Sequence, residues 1–405
     1  MASAATLAEL PGSGPSDVLL EGRVVDGAEG TLTLLDATGA RRVALAAPEE
    51  DAAAHVGAWV RLGARWTGEA LEAGRVLEAH APRAPWPKAG GDWAWLRDEA
   101  GRRLGHLRLR ARLKDAVRAF FAEGDFLEVD TPAMVPSPGL DLHLDAFGVT
   151  GTDAPRWLIT SPEYQLKRVL AGGVPRVYQL ARCFRRSERG PLHEPEFTMV
   201  EWYRAFAGSE AVMADTEALV LRVAEAATGS AGLPGREGPV DVTPPWERLS
   251  VAEAFARHAQ VSADAALAAG EETFFRVLAT EIEPKLGRSR PVFLTGWPAS
   301  MASLARLDTE GRADRFEAYV DGIELCNGFG ELVDPVEQRT RLERDLRDRA
   351  AAKLPAYPID ERFLGALEEG LPPSGGNALG FDRLVMLAAG ADCLADVLAV
   401  PAERL

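Results

Sequence analysis

"LARCFRRSERGPLHEPEFTMVEWYRAF", residues 180–206, places Arg185 and Arg186 before a Gly190-Pro191 break and the run Glu196, Phe197, Thr198, Met199, Val200, Glu201, Trp202, Tyr203 after it. Apolar and aromatic residues on both sides of a glycine-proline punctuation predict two strands folded into one hairpin, with the lone His193 just past the bend. The arginines close the first strand, and carboxylates recur along the second. Such a hairpin suits a ligand that needs cations at one end and carboxylates at the other.

The segments around it extend the pattern. Leu113, Val117, Phe120 and Phe121 repeat at helical spacing, with Gly124 where a C-terminal cap is expected. The helix runs into "FLEVDTPAM" (126–134), where Thr131-Pro132 halts a strand or places it at an edge. "RWLIT" (156–160), "RVYQLARCFR" (176–185), "GIELCNGFGEL" (322–332) and "NALGFDRLVML" (377–387) supply further strands and a final helix. The class expected is α+β, an antiparallel sheet with helices segregated around it. No glycine loop of the P-loop or dinucleotide type occurs, so side chains must hold any nucleotide.

The chain has 405 residues, 47% of them hydrophobic, enough for two or three domains with a sizeable core. Its net charge of -16 excludes a broad, nonspecific nucleic-acid surface, because such surfaces are built from Lys and Arg. Cys183, Cys326 and Cys393 fit neither a disulfide framework nor a zinc pattern and read as reduced thiols. No basic leader and no long uncharged stretch occurs, which predicts a cytoplasmic protein without a membrane partner. "PRAPWPKAGGDW" (82–93) breaks all periodicity and predicts a linker over 86–94. Before it, five short β-type runs within residues 1–85 predict a small OB-like barrel. OB barrels bind single strands by stacking bases on aromatics above a basic groove. This one has neither Phe nor Tyr and more acidic than basic residues, so a structural or protein-contacting role is the expectation.

The hairpin sequence "FRRSERGPLHEPEFTMVEWYR" (184–204) resembles motif 2 of class II aminoacyl-tRNA synthetases. "GNALGFDRLVML" (376–387) resembles their motif 3, and "FLEVDTPAM" is similar to motif 1. "TSPEYQLKR" (160–168) and "RFEAYVDGIELCNGFGEL" (315–332) look like lysyl-tRNA synthetase signatures. The resemblance covers residues 95–405 and implies a catalytic domain of that class. Within it, Ala378 and the tail from Arg349 to Val400 resemble the elongation factor P lysyltransferase family. That family joins β-lysine to a lysine side chain of elongation factor P and lacks tRNA aminoacylation.

The resemblance implies residue roles, and elementary chemistry explains the residue types. A substrate carboxylate, ionised at neutral pH with a reference pKa of roughly 3.5, attacks the α-phosphorus of ATP, so no general base is needed. Catalysis then rests on alignment and on cations that offset phosphoryl charge. By resemblance, Arg185 holds the α-phosphate and substrate carboxylate, Phe197 and Arg383 sandwich the adenine, and His193 meets the outer phosphates. Glu188, Leu325 and Gly380 complete the ATP site. Glu317 and Glu324 match positions that bind Mg2+, a hard ion that takes one or two protein carboxylates. Ser161, Pro162, Glu163, Glu201, Tyr203, Asn327, Phe329 and Glu331 match the amino-acid pocket, where carboxylates face the ammonium groups of lysine or β-lysine. Ala378, where bacterial synthetases typically carry Gly, would occupy space beside the substrate amine and favour an amine moved to the β carbon. The class also implies a homodimer.

Three departures stand out. The barrel is an extension that the lysyltransferases do not typically carry. Ser187 replaces a usual Glu, with Glu188 one place later, and Glu194 replaces a usual Asn where a carboxylate would oppose phosphate. Two other readings stay open at this point: a genuine lysyl-tRNA synthetase using the barrel on an anticodon, and a noncatalytic amino-acid-binding or regulatory paralogue.

Overall fold

A computed structural model of the chain describes residues 10, 14–47, 51–88, 91–92, 96 and 102–405. It divides into two compact units, Met1–Arg108 and Leu109–Leu405. Of the expected linker over 86–94, positions 89, 90, 93 and 94 lie outside the described residues, as does the expected domain start at 95.

The first unit is the expected five-stranded barrel. Strands β1 (Ser16–Ala28), β2 (Thr31–Asp36), β3 (Gly39–Leu45), β4 (Trp59–Trp66) and β5 (Leu71–His80) pair in the order β1-β2-β3-β5-β4, and β4 returns to β1 to close the ring. Only the β3–β5 pair is parallel. Alternation along the strands sends Leu20, Val24, Leu32, Leu34, Val43, Val60 and Leu62 inward, which gives the small domain an apolar core without any Phe or Tyr.

The second unit holds an eight-stranded sheet and, from Leu109 on, the helix α1 (Arg102–Glu123). Leu113, Val117 and Phe121 on α1 are fully buried, as their spacing predicts. The helix ends differently from expectation. Asp125, not Gly124, takes the left-handed conformation (φ 58), and the Phe126 amide reaches back to the Phe121 carbonyl at 2.9 Å. Asp tolerates this region better than most side chains, so the terminal wrap forms one residue later.

The chain continues through β6 (Leu127–Glu128), three short paired strands β7 (Met134–Val135), β8 (Gly148–Val149) and β9 (Arg156–Leu158), helix α2 (Glu163–Ala171), then β10 (Arg176–Phe184) and β11 (Glu196–Ala205). Helix α3 (Ser209–Thr228) leads through β12 (Gly232–Leu233) and β13 (Val240–Asp241) to β14 (Glu247–Ser250) and the short helices α4 (Val251–His258), α5 (Ala263–Ala268) and α6 (Glu271–Val277). Strands β15 (Val292–Thr295), β16 (Arg315–Val320) and β17 (Ile323–Gly330), helices α7 (Pro335–Ala351) and α8 (Glu361–Gly370), strand β18 (Ser374–Gly380) and helix α9 (Phe381–Ala389) complete it. The sheet order is β14-β15-β16-β17-β18-β11-β10-β6. Its interior is antiparallel as expected, while the two outermost pairs are parallel.

Register decides what the sheet presents. Glu201 lies opposite Ala378, Ala378 opposite Asn327, and Asn327 opposite Glu317, so residues from four strands form one row across the sheet. Two residues along, Tyr203, Gly376, Phe329 and Arg315 form the next row. Cross-strand partners share a face, and residues two apart on a strand share it too, so both rows look the same way. Gly376 has no side chain because a Cβ there would collide with the Tyr203 ring and crowd the Glu331 carboxylate.

Behind Phe197 and Arg383 a buried ion pair joins three elements. Arg110 of α1 meets Asp382 at 2.6 Å and donates to Thr198 Oγ1 at 2.9 Å, while Asp382 accepts the Thr198 amide at 2.8 Å. Removing one member leaves a buried charge without its partner, which costs about 3–5 kcal/mol. Asp382→Ala is therefore expected to lower the thermal midpoint by roughly 10 °C, and a midpoint within experimental error of the parent would refute this role.

Candidate functional site

Ala378, Asn327 and Glu317 of the first row and Phe329 and Arg315 of the second line a cavity of about 420 Å³. Of the site residues expected from sequence, Ser161, Glu163, Arg185, Glu188, His193, Phe197, Glu317, Glu324, Leu325, Asn327, Phe329, Ala378, Gly380 and Arg383 line it. Pro162, Glu201, Tyr203 and Glu331 are buried and do not form its wall.

The cationic end is organised by the hairpin. Arg185, just past β10, lies with its guanidinium 5.0 Å above the Phe197 ring, and its Nη1 is 3.4 Å from Glu188 Oε1. Arg383, at the start of α9, donates Nη1 to the Glu324 carbonyl at 2.7 Å and lies 2.8 Å from His193 Nε2 through Nη2. A guanidinium cannot accept, so His193 accepts through Nε2. Burial and the adjacent Arg383 both lower the His193 pKa, which favours the neutral ring that this bond requires. Glu188 is half-buried and faces the cavity, whereas Ser187 is exposed. The one-place offset therefore leaves a carboxylate in the site. Glu194 also lines the cavity, and its Oε2 accepts the Ala402 amide at 3.1 Å, at the start of the last helical turn.

In the middle, Glu317 accepts from Arg315 Nη2 at 2.5 Å and from the Tyr319 hydroxyl at 2.7 Å. Burial pushes its pKa up to about 7, with Glu324 adding to the rise and Arg315 opposing it. Glu283 is raised by burial and by Glu324 as well, and its Oε1 lies 3.1 Å from the Tyr319 hydroxyl. Among the described residues no group of three or more His, Cys, Asp or Glu is arranged to hold a metal by itself. An acidic oxygen pair that repels itself fits an ion completing its shell with phosphate oxygens and water.

At the other end three carboxylates converge. Lys167 of α2, 1% exposed, lies 2.7 Å from Glu163 Oε1 and 2.6 Å from Glu331 Oε2. Glu201, wholly buried, accepts the Tyr203 hydroxyl on Oε1 at 2.7 Å. Burial first, then Glu163, holds the Glu201 carboxyl well above its usual range. Burial likewise pushes Glu331 up to about 7 against the pull of Lys167.

Sequence reasoning passed over Lys167, Arg315, Glu283 and the Arg110–Asp382 pair. Lys167 follows Glu163 by four residues, a helical ion-pair spacing visible in sequence. Arg315 precedes Glu317 by two on a strand and so shares its face. Nothing local marks Glu283, which a separate segment brings in.

The description "tRNA synthetases class II (D, K and N)" matches residues 93–404, and the chain belongs to that family. Among curated proteins it is 42% identical over 329 residues to the Elongation factor P--(R)-beta-lysine ligase of Edwardsiella ictaluri, covering 74% of this chain and 96% of the relative. The proteins of the same name from Hamiltonella defensa and Proteus mirabilis are each 40% identical, again over 74% of this chain and 96% of theirs. Residues 1–92 lie outside the family match.

Proposed function

We propose that the chain activates lysine or (R)-β-lysine with ATP as an aminoacyl-adenylate and transfers it to a lysine side chain of elongation factor P. The observation that carries this reading is the two-ended cavity, with Arg185 over Phe197 and Arg383 against His193 at one end and Glu163, backed by Glu201 and Glu331, at the other. The names borne by relatives at 40–42% identity supply the acceptor.

In the first step a carboxylate oxygen of the amino acid attacks the α-phosphorus and pyrophosphate leaves. Arg185 and Arg383 offset charge on the phosphates, Phe197 supplies a flat face for adenine, and His193 keeps Arg383 in place. Glu317 and Glu324 would hold a magnesium ion, whose charge neutralises phosphate oxygens. In the second step the uncharged acceptor amine attacks the carbonyl carbon. The new C–N bond replaces the anhydride C–O bond, AMP departs with the electron pair, and the amine proton passes to solvent.

The acidic barrel without Phe or Tyr supports a protein acceptor over tRNA. The absence, among the described residues, of a helix long and apolar enough to cross a membrane is compatible with work in the cytoplasm. Leu127, 53% exposed on the outermost strand β6, supports a homodimer through this edge. Light scattering at micromolar protein should give twice the chain mass, and a fully active monomer would refute pairing.

The acceptor is tested by offering elongation factor P and bulk tRNA together, with ATP and each lysine isomer. Intact mass should show elongation factor P gaining one lysyl unit while tRNA stays uncharged. Robust tRNA charging without protein modification would favour the synthetase reading.

A further inference from the structure

Lys167 has no place in the reaction outlined above and does not line the cavity, yet it is the cation around which the amine end is built. Its ammonium sits between Glu163 and Glu331, 5.7 Å from the Tyr203 ring centre and 5.8 Å from that of Phe363. Two aromatic faces and two carboxylates thus fix it from α2, β11, α8 and the segment after β17. The charged and titratable groups around it are Glu163 on its own helix, Glu201 and Tyr203 on β11, Glu331, and Asp314 acting on Glu331. Asp314 is itself paired with Arg306 at 2.8 Å.

A lysine this deeply buried keeps its charge only because the carboxylates more than offset the penalty of burial, and the net shift of its pKa is upward. Around Lys167 two buried carboxylate oxygens, Oε2 of Glu201 and Oε1 of Glu331, nevertheless have neither a hydrogen bond nor the ion pair that Glu331 Oε2 makes. Near neutral pH burial keeps protons on Glu201 and part of Glu331 in the empty pocket; once those protons leave as a ligand enters, three carboxylates against the Lys167 ammonium leave two negative charges. A diamino acid carries two ammonium groups.

We propose that Lys167 is a fixed counter-ion and positioning residue of the amine subsite: it holds Glu163 and Glu331 in place and sets the pocket's charge to match a substrate bearing two ammonium groups. The inference rests on the adenylation reading. Without Lys167, three carboxylates would face one another unrelieved, hold their protons to still higher pH and bind ammonium less well. An amino acid with an uncharged side chain of the same length would leave one buried negative charge unmatched, so the same device rejects it.

The test compares the full-length parent, Lys167→Met and Lys167→Arg in pyrophosphate exchange, using L-lysine and (R)-β-lysine as probes. Lys167→Met is expected to raise KM for the preferred diamino acid about 10-fold or more near pH 6.5 while changing KM for ATP less than about twofold. Measured against the parent at each pH, that deficit should shrink near about pH 8.5, because the carboxylates regain their charge as protons leave. Lys167→Arg, which keeps the charge, should retain the parent's pH profile. A Lys167→Met deficit equal at both pH values, or none, overturns the proposal. Should Lys167→Met fail to fold, calorimetry of the parent in buffers of different ionisation enthalpy decides. Diamino-acid binding near about pH 7 should release protons, since ammonium groups enter a carboxylate cluster that titrates there, and zero release overturns it. A parent that exchanges with no amino acid overturns the adenylation reading itself, and this inference with it.

Discussion

Arg383→Ala is expected to lower diamino-acid-dependent exchange of pyrophosphate into ATP by about 10²- to 10³-fold, the range for removing one pre-set electrostatic contact to developing charge. Arg383 donates to the Glu324 carbonyl and to His193, so its guanidinium is fixed before ATP arrives. A donor fixed in advance need not reorganise during reaction, which is why its loss falls mainly on kcat. The side chain also lies 18% exposed, so little water can substitute for it. Arg383→Lys should recover only part of the loss, because an ammonium keeps charge but cannot stack on a flat ring. Exchange by Arg383→Ala at the parent rate would remove Arg383 from the phosphate and adenine site.

Glu201→Gln is expected to raise KM for the diamino acid by about 10²-fold, in line with the 2–5 kcal/mol lost when a buried charge pair loses one member. The substitution is nearly isosteric. Glutamine Oε1 can still accept the Tyr203 hydroxyl, now 2.7 Å from Glu201, so the local fold keeps its bond. The other atom changes from an unpartnered carboxylate oxygen to an NH2 group, which repels a substrate ammonium. KM for ATP should stay within about twofold, because uniform weakening of both substrates would reflect a general disturbance instead of lost amine recognition. Equal weakening of ATP and amino acid would count against a separate amine pocket.

Much of this was legible in the chain because it is written locally. Residues 180–206 carry two strand-like runs around a glycine-proline break, and the structure makes them the antiparallel pair β10–β11. The five runs of the barrel likewise become five strands, since each is short, β-branched or aliphatic, and bounded by turn residues. What was not legible depends on register and on long-range approach. Glu201, Ala378, Asn327 and Glu317 come from separate strands, and only their pairing reveals one row. In "TSPEYQLKR" Lys167 stands next to an arginine on a helix, where a lysine ordinarily belongs to a solvated face. Its burial is imposed by Glu331, 164 positions away by number, and by the rings of Tyr203 and Phe363. The Glu194 departure had the same kind of answer, a backbone amide at Ala402 supplied by the far end of the chain.

The central claim is that one cavity joins a phosphate-binding cationic end to an amine-binding anionic end. Pyrophosphate exchange into ATP by the purified full-length protein, measured in parallel with L-lysine, (R)-β-lysine and norleucine, tests it most directly. The account predicts robust exchange with at least one of the two lysines and background exchange with norleucine, whose side chain is of similar length but carries no ammonium, leaving one of the two ammonium groups missing from the carboxylate pocket. Equal exchange with norleucine, or none with either lysine, would contradict it.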